Sequence, residues 1–265
     1  MKVVFIGAGN MAEAVVAGIV KNKVVKAADV FVTDISEERL TYFMMKYDVS
    51  TSDDNAYPVS LADVVVLAIK PQVFPEVWPE IEAALKPDAL VVSIMAGIPS
   101  AKIAGGKSIR VVRVMPNTPS LIGEGAAGIA AGELATDADL EIAESLLGAV
   151  GATVIVKEEE IDAVTALSGS GPAYVFYLLE SMLEAADQMG LEKGISRELA
   201  LATVIGAAKL MQETGEDADA LRIKVTSKGG TTAAAINTME ERGVKESIIT
   251  ALLAAQARSK ELANG

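Results

Sequence analysis

The chain has 265 residues, a formal charge of −13, and neither cysteine nor histidine. Its length suits one large or two modest domains. Disulfides, thiolate metal sites and histidine-ligated metals are excluded, so no metal is expected, and any catalytic proton comes from a hydroxyl, a lysine, a carboxyl group or water. The negative field argues against nucleic acid or an anionic membrane as a partner. Half of the residues (51%) are hydrophobic while aromatics reach only 4%, a balance that suits packed helices and buried parallel strands. Met1 leads almost directly into a strand, so no signal peptide is expected, and the apolar run from Tyr174 to Leu183 is broken by Glu180 and too short for a bilayer. A cytoplasmic location is expected.

From Met1 to about Lys157, short β-branched runs alternate with helical segments. Strands are expected at Lys2–Ile6, Val30–Thr33, Val64–Ala68, Leu90–Ile94, Ile109–Val114 and Thr153–Val156. Helices are expected at Met11–Val20, Glu37–Lys46, Phe74–Leu85 and Asp137–Val150, with Ser36 and Thr136 placed as N-caps. Such alternation implies a doubly wound α/β sheet over residues 1–160.

Gly7-Ala8-Gly9-Asn10-Met11-Ala12 follows the first strand and opens a helix, the G-x-G-x-x-A form of the dinucleotide fingerprint. In it Gly7 makes the tight turn, Gly9 lets a pyrophosphate approach the backbone, and Ala12 permits close helix packing. The amides of Asn10 and Met11 begin the helix. Asp34 ends the second strand 22 residues after Ala12, where a carboxylate accepts hydrogen bonds from an adenosine ribose and repels a 2′-phosphate, favouring NADH. Ser36 and Arg39 remain able to receive a phosphate. Further loops at strand ends are Ala68-Ile69-Lys70-Pro71-Gln72, Met95-Ala96-Gly97 and Arg113–Pro119. Lys70 reads equally well as a solvated charge and Arg113 as a buried ion-pair partner, so spacing assigns neither a catalytic role.

Beyond Lys157 the strands stop, and residues 161–265 read as a helical domain. Helices are expected at Glu158–Leu167, Pro172–Met189, Ser196–Glu213, Thr231–Arg242 and Lys245–Leu262, with Gly190, Gly194, Gly215 and Gly243 at their ends. A stiff break at Leu167–Tyr174 is built from Gly169, Gly171 and Pro172. These helices are apolar around most of their circumference, as in Ala200–Ala208 and Ile248–Ala255. About a hundred residues of helix cannot hide that surface internally, so burial against another subunit is expected.

The segment Val225-Thr226-Ser227-Lys228-Gly229-Gly230-Thr231-Thr232 sets two glycines and four hydroxyls before an alanine-rich helix. Unhindered amides at such a turn form an anion site without a side-chain cation. An ordinary helix cap fits the same spacing.

Taken in order, Gly7–Ala12, Ala68–Gln72, Arg113–Pro119, Ser168–Tyr174 and Val225–Ile236 resemble the corresponding segments of the pyrroline-5-carboxylate reductase family, from one end of the chain to the other. The resemblance implies reduction of 1-pyrroline-5-carboxylate, a small imine carboxylate, to L-proline by NADPH or NADH, the last step of proline biosynthesis. It implies a Rossmann-type α/β N-terminal domain followed by an all-α C-terminal dimerisation domain, with homodimers assembled into a homodecamer. It further implies that Ser227, Gly230, Thr231 and Thr232 form the carboxylate-binding loop. With no arginine in that loop, the amides from Gly229 to Thr232 are expected to hold the carboxylate, and Thr232 is expected to hydrogen-bond the ring nitrogen. Thr165 corresponds to a hydroxyl from a neighbouring subunit, and Asn55, Ala68, Lys70, Pro71, Ala96 and Gly97 line the cofactor. Lys228 departs from the family pattern, which has proline there.

Two rival readings fit this sequence less well. A β-hydroxyacid dehydrogenase has a lysine one turn after a glycine-rich loop between its domains, but that position here is Val175 and the next lysine after Gly171 is Lys193. A dinucleotide-responsive assembly protein without chemistry leaves the intact Ser227–Thr232 loop unexplained.

Overall fold

Val-Val-Phe-Ile at Val3–Ile6 (β1) is buried on all residues, the signature of a central strand covered on both faces. In the computed structural model, which describes residues 1–264, β1 lies within an eight-stranded sheet. Its other strands are β2 (Val30–Thr33), β3 (Ser50–Ser52), β4 (Val64–Leu67), β5 (Leu90–Ser93), β6 (Arg110–Met115), β7 (Gly125–Ala131) and β8 (Gly151–Ile155). The order is β3-β2-β1-β4-β5-β6-β7-β8, and its first part is the doubly wound 3-2-1-4-5-6 arrangement. Strands β1 to β6 pair in parallel, β7 is antiparallel to β6, and β8 is parallel to β7.

The period-two alternation of the strands sorts their side chains into two cores. Val3, Phe5, Val64, Val66, Leu90 and Val92 pack on one face with Val16, Ile19 and Leu146. Val4, Ile6, Val65, Leu67 and Val91 pack on the other with Trp78, Ile81 and Ile103. Helices α1 (Asn10–Lys21), α2 (Glu37–Tyr47), α3 (Ala56–Leu61), α4 (Phe74–Ala84), α5 (Ser100–Ala104) and α6 (Asp137–Gly148) connect the strands. Ser36 caps α2 by accepting from the Arg39 amide, and Thr136 and Asp139 form a reciprocal capping box on α6.

Two strands escaped the periodicity. Ser50–Ser52 is polar, and β7 is mostly glycine and alanine. Close approach explains β7: a β-carbon on Gly128 would lie 2.7 Å from Val164, and one on Gly125 would collide with the Ser120 hydroxyl.

After the sheet come α7 (Ile161–Val164), a π-helical turn at Thr165–Gly169, α8 (Gly171–Gln188), α9 (Lys193–Thr214), α10 (Ala218–Lys224), α11 (Thr231–Glu241) and α12 (Val244–Asn264). The short α10 was not expected. Gly190, Gly215 and Gly243 close helices in the left-handed region, whereas Gly194 lies in the first turn of α9, where the Glu192 carboxylate accepts its amide at 2.9 Å.

The described residues form two compact units, residues 1–172 with 254–264, and residues 173–253. The change of pattern near residue 160 therefore precedes the structural division. Ile161 and Ala166 are buried in the first unit, and the Ser259 hydroxyl from the end of α12 donates to Asp162 at 2.6 Å. Among the described residues of the second unit only Ala186, Ser196 and Ala200 are buried. Phe176, Tyr177, Leu199 and Ile248 are each more than half exposed.

Candidate active site

The dinucleotide loop begins at Gly7, whose amide donates to the Thr33 carbonyl at 2.8 Å and whose φ is +101°. A β-carbon there would lie 2.7 Å from the Ala68 carbonyl oxygen, so the position takes only glycine. A β-carbon on Gly9 would meet nothing within 4 Å. The amides of Gly9, Asn10, Met11 and Ala12 have no acceptor among the described residues. Open space facing unpaired amides at the positive end of α1 fits a pyrophosphate.

The loop is fixed from behind. The Ala8 amide donates to Asp34 Oδ2 at 2.7 Å, and the Ser36 amide to Oδ1 at 2.9 Å. Arg39 Nε donates to the Ala8 carbonyl at 2.8 Å, and its Nη2 to Glu13 at 2.8 Å. Glu13 also accepts from Tyr42 (2.6 Å), Tyr47 (2.9 Å) and Lys46 (3.1 Å). Burial pushes the Glu13 carboxyl up, but the bonds from Tyr42, Arg39, Tyr47 and Lys46 outweigh it and hold the group at about 2.

The other residues expected to line a cofactor follow the carboxyl ends of parallel strands, where open α/β sheets bind ligands. Asn55 immediately precedes α3 and accepts from the Thr33 hydroxyl at 2.6 Å. Ala68 follows β4 and donates to the Ile6 carbonyl at 2.9 Å; the exposed Lys70 precedes a short 3₁₀ turn starting at Pro71. Ala96 and Gly97 follow β5. The fold thus gathers Gly7, Gly9, Asn10, Met11, Asp34, Asn55, Ala68, Lys70, Pro71, Ala96 and Gly97 along one edge of the sheet.

Arg113 is a buried ion-pair partner. Its side chain is 7% exposed and lies 3.1 Å from Glu158, which also accepts from the Ser100 amide at 2.7 Å. Asn117 accepts from the Ala126 amide at 2.9 Å and donates to the Ser168 carbonyl at 3.0 Å. That bond ties the Pro116–Pro119 loop to the π-helical turn, in which the Ser170 amide reaches back to Thr165 at 2.8 Å. Thr165 itself donates to Ile161 at 2.7 Å and keeps its oxygen able to accept. The structural parts played by Asn117 and Glu158 had no signal in local spacing.

In the second unit, Ser227 to Gly230 form a turn in which the Gly230 amide donates to the Ser227 carbonyl at 3.1 Å and Gly229 has φ +71°. This amends the expectation that every amide from Gly229 to Thr232 faces an anion, because the Gly230 amide closes the turn. The amides of Thr231, Thr232 and Ala233 have no acceptor among the described residues, and they open an 11-residue helix. A β-carbon on Gly230 would lie 2.5 Å from the Ser227 hydroxyl oxygen, so glycine is what lets that hydroxyl lie against the helix start. Lys228 takes the second position of the turn, which suits proline when glycine follows.

A fingerprint loop on the first strand of a doubly wound sheet, continued by an all-α domain, defines an NAD(P)-dependent oxidoreductase of the Rossmann class. Residues 2–97 match the family model described as NADP oxidoreductase coenzyme F420-dependent, and residues 158–262 match pyrroline-5-carboxylate reductase dimerisation. The chain belongs to the pyrroline-5-carboxylate reductase family. The reductase of Methanosarcina acetivorans is 40% identical over 263 residues, 98% of this chain and 97% of that protein. That of Haemophilus influenzae is 43% identical over 266 residues, again 98% and 97%. The solved pyrroline-5-carboxylate reductase of Coxiella burnetii superposes with a TM-score of 0.92 at 41% identity, covering 98% of both chains. That of Plasmodium falciparum with NADP bound gives 0.90 at 28% identity, over 99% of this chain and 98% of that one. The helical domain is a dimerisation domain, which accounts for its uncovered apolar side chains. No helix among the described residues is long and apolar enough to cross a membrane.

Proposed function

We propose that this chain reduces 1-pyrroline-5-carboxylate to L-proline, the last step of proline biosynthesis, in the cytoplasm and as homodimers assembled into a decamer. Its catalytic machinery is divided between a dinucleotide domain at 1–160 and a helical dimerisation and substrate domain at 161–265. The observation that carries this reading is the amide cradle at the start of α11, set in the segment that matches the dimerisation family.

The substrate is a small anion, and the chain is strongly acidic, so its carboxylate needs a local positive site. Ser227 and the amides of Gly229, Thr231 and Thr232 supply one from main-chain dipoles and hydroxyls, with Gly230 making room for Ser227. The nicotinamide, when bound, supplies the hydride that the C=N carbon accepts. Gly7, Gly9, Asn10 and Met11 hold the pyrophosphate, Asp34 and Asn55 stand at the adenosine end, and Ala68, Lys70, Pro71, Ala96 and Gly97 line the rest. A protonated cyclic imine is already electrophilic, so the chain contributes mainly position. Thr232 donates or accepts at the ring nitrogen, and Thr165 of a neighbouring subunit completes the hydroxyl pair.

Purified protein is expected to oxidise NADH or NADPH only when pyrroline-5-carboxylate is present. Cofactor binding without turnover of the imine would leave a binding protein and overturn the reading.

A further inference from the structure

The dinucleotide loop is held by side chains that come from outside it. On the reading that this loop binds the cofactor, we infer that Asp34 and Arg39 are positioning residues: they clamp the two peptide groups flanking the Ala8 α-carbon, and neither selects NADH over NADPH.

The geometry is reciprocal. Asp34 Oδ2 receives the Ala8 amide at 2.7 Å from one side, and Arg39 Nε reaches the Ala8 carbonyl at 2.8 Å from the other. Each clamp is itself braced. The second Asp34 oxygen holds the Ser36 amide, and the Ser36 hydroxyl oxygen accepts the Arg39 amide at 3.3 Å. The Arg39 guanidinium is drawn inward by Glu13, and it lies 4.9 Å from the Tyr42 ring centre and 5.2 Å from that of Phe43. A carboxylate with both oxygens bonded to main-chain amides is tied to the loop. A guanidinium bonded to a carbonyl and a carboxylate has much of its charge already matched within the fold. With Ala8 fixed, the neighbouring amides from Gly9 to Ala12 stay aimed at one place before any ligand arrives. That preorganisation serves the pyrophosphate, which NADH and NADPH share.

The test is fluorescence titration of NADH and of NADPH, without substrate, on the full chain and on Asp34→Ala, Arg39→Ala and Glu13→Gln, with thermal melting to monitor folding. Both dissociation constants are expected to rise about tenfold in Asp34→Ala and Arg39→Ala, the loss of about one braced hydrogen bond. Their ratio is expected to stay within about threefold of the parent value. Glu13→Gln, which leaves Arg39 in place but removes its charged partner, is expected to weaken both cofactors in the same direction and carries the test if Arg39→Ala does not fold. A ratio that moves further overturns the proposal: a shift towards NADPH in Asp34→Ala means the carboxylate reads the ribose, and loss of NADPH alone in Arg39→Ala means the guanidinium reads the phosphate. Unchanged constants in the folded variants overturn it as well. If the parent chain binds neither dinucleotide, it is the proposed function that fails.

Discussion

A β-carbon placed on Gly7 would stand 2.7 Å from the Ala68 carbonyl oxygen, closer than any real contact of that kind. The same residue has φ +101°, where side chains are strained. Gly7→Ala is therefore expected to lose about 1–3 kcal/mol of stability and to bind dinucleotide at least about a hundredfold more weakly. Gly9→Ala separates the two effects, because a β-carbon there meets no protein atom. It is expected to melt like the parent yet to lose cofactor affinity. Calorimetry and fluorescence titration on both variants check the contrast, and a Gly9→Ala protein with full affinity would show that the pyrophosphate lies elsewhere.

Thr232 is half-buried at the second position of α11, and its hydroxyl has no hydrogen-bond partner among the described residues. Removing it costs the fold little. If it bonds the ring nitrogen, Thr232→Ala is expected to lower kcat/KM by about 10- to 1,000-fold, in the range of single oriented donors. The melting temperature should stay within a degree or two, since surface changes of this kind are nearly neutral. Full kcat/KM in this variant would reduce Thr232 to helix chemistry.

How much of this was legible in the residues depends on the distance over which each feature acts. Val-Val-Phe-Ile and Val-Val-Val-Leu announce buried strands by composition alone, and both glycine loops are read within a dozen residues. The polar β3 and the small-residue β7 carry no such mark, because neighbours far along the chain define them, as Val164 does for Gly128. The same holds at the site. Asp34 was legible as a carboxylate after β2, but its bond to Ala8 spans 26 residues, and the Asn117–Ser168 bond bracing the π-helical turn spans 51. A carboxylate aimed at a ribose and one aimed at a loop amide leave the same letter in the sequence.

Glu13 is a group whose folded pKa, about 2, lies below its unfolded value near 4.5. Its contribution to stability is therefore complete above the unfolded value and is lost as pH falls through the folded one. Glu13→Gln is expected to melt lower than the parent by a constant margin from pH 7 to about pH 5. The margin should shrink between about pH 4.5 and pH 2, as the parent's carboxylate is protonated. Melting curves across that range check it, and a gap that closes already between pH 7 and pH 6 would point to a different group.

The Arg113–Glu158 pair joins β6 to the chain just after β8, with the guanidinium almost wholly buried. Glu158 also holds the Ser100 amide at the start of α5, so one carboxylate braces two elements. Removing one member of a buried pair leaves an uncompensated group and costs about 3–5 kcal/mol. Arg113→Ala is expected near the lower end, because Glu158 keeps Ser100 and is partly exposed. Urea unfolding at fixed protein concentration should show a lower midpoint with the slope unchanged.

Tyr177 is 73% exposed and Phe176 59% exposed at consecutive positions of α8. Aromatic side chains of this kind each contribute strongly when buried in an interface, through area and ring packing. In a chain whose helical half belongs to a dimerisation family, that area is expected to be covered by a second copy. Introducing a charge there forces a carboxylate into the desolvated contact, so Tyr177→Glu and Phe176→Glu should shift the solution mass towards smaller species. Light scattering reads this directly. Because the dinucleotide cradle is built wholly from residues of the first unit, a dissociated variant is expected to keep NADH binding while losing imine reduction, whose proposed hydroxyl pair draws Thr165 from a neighbouring subunit. A variant that stays monomeric yet reduces the imine at the parent rate would separate catalysis from assembly and place both hydroxyls within one chain.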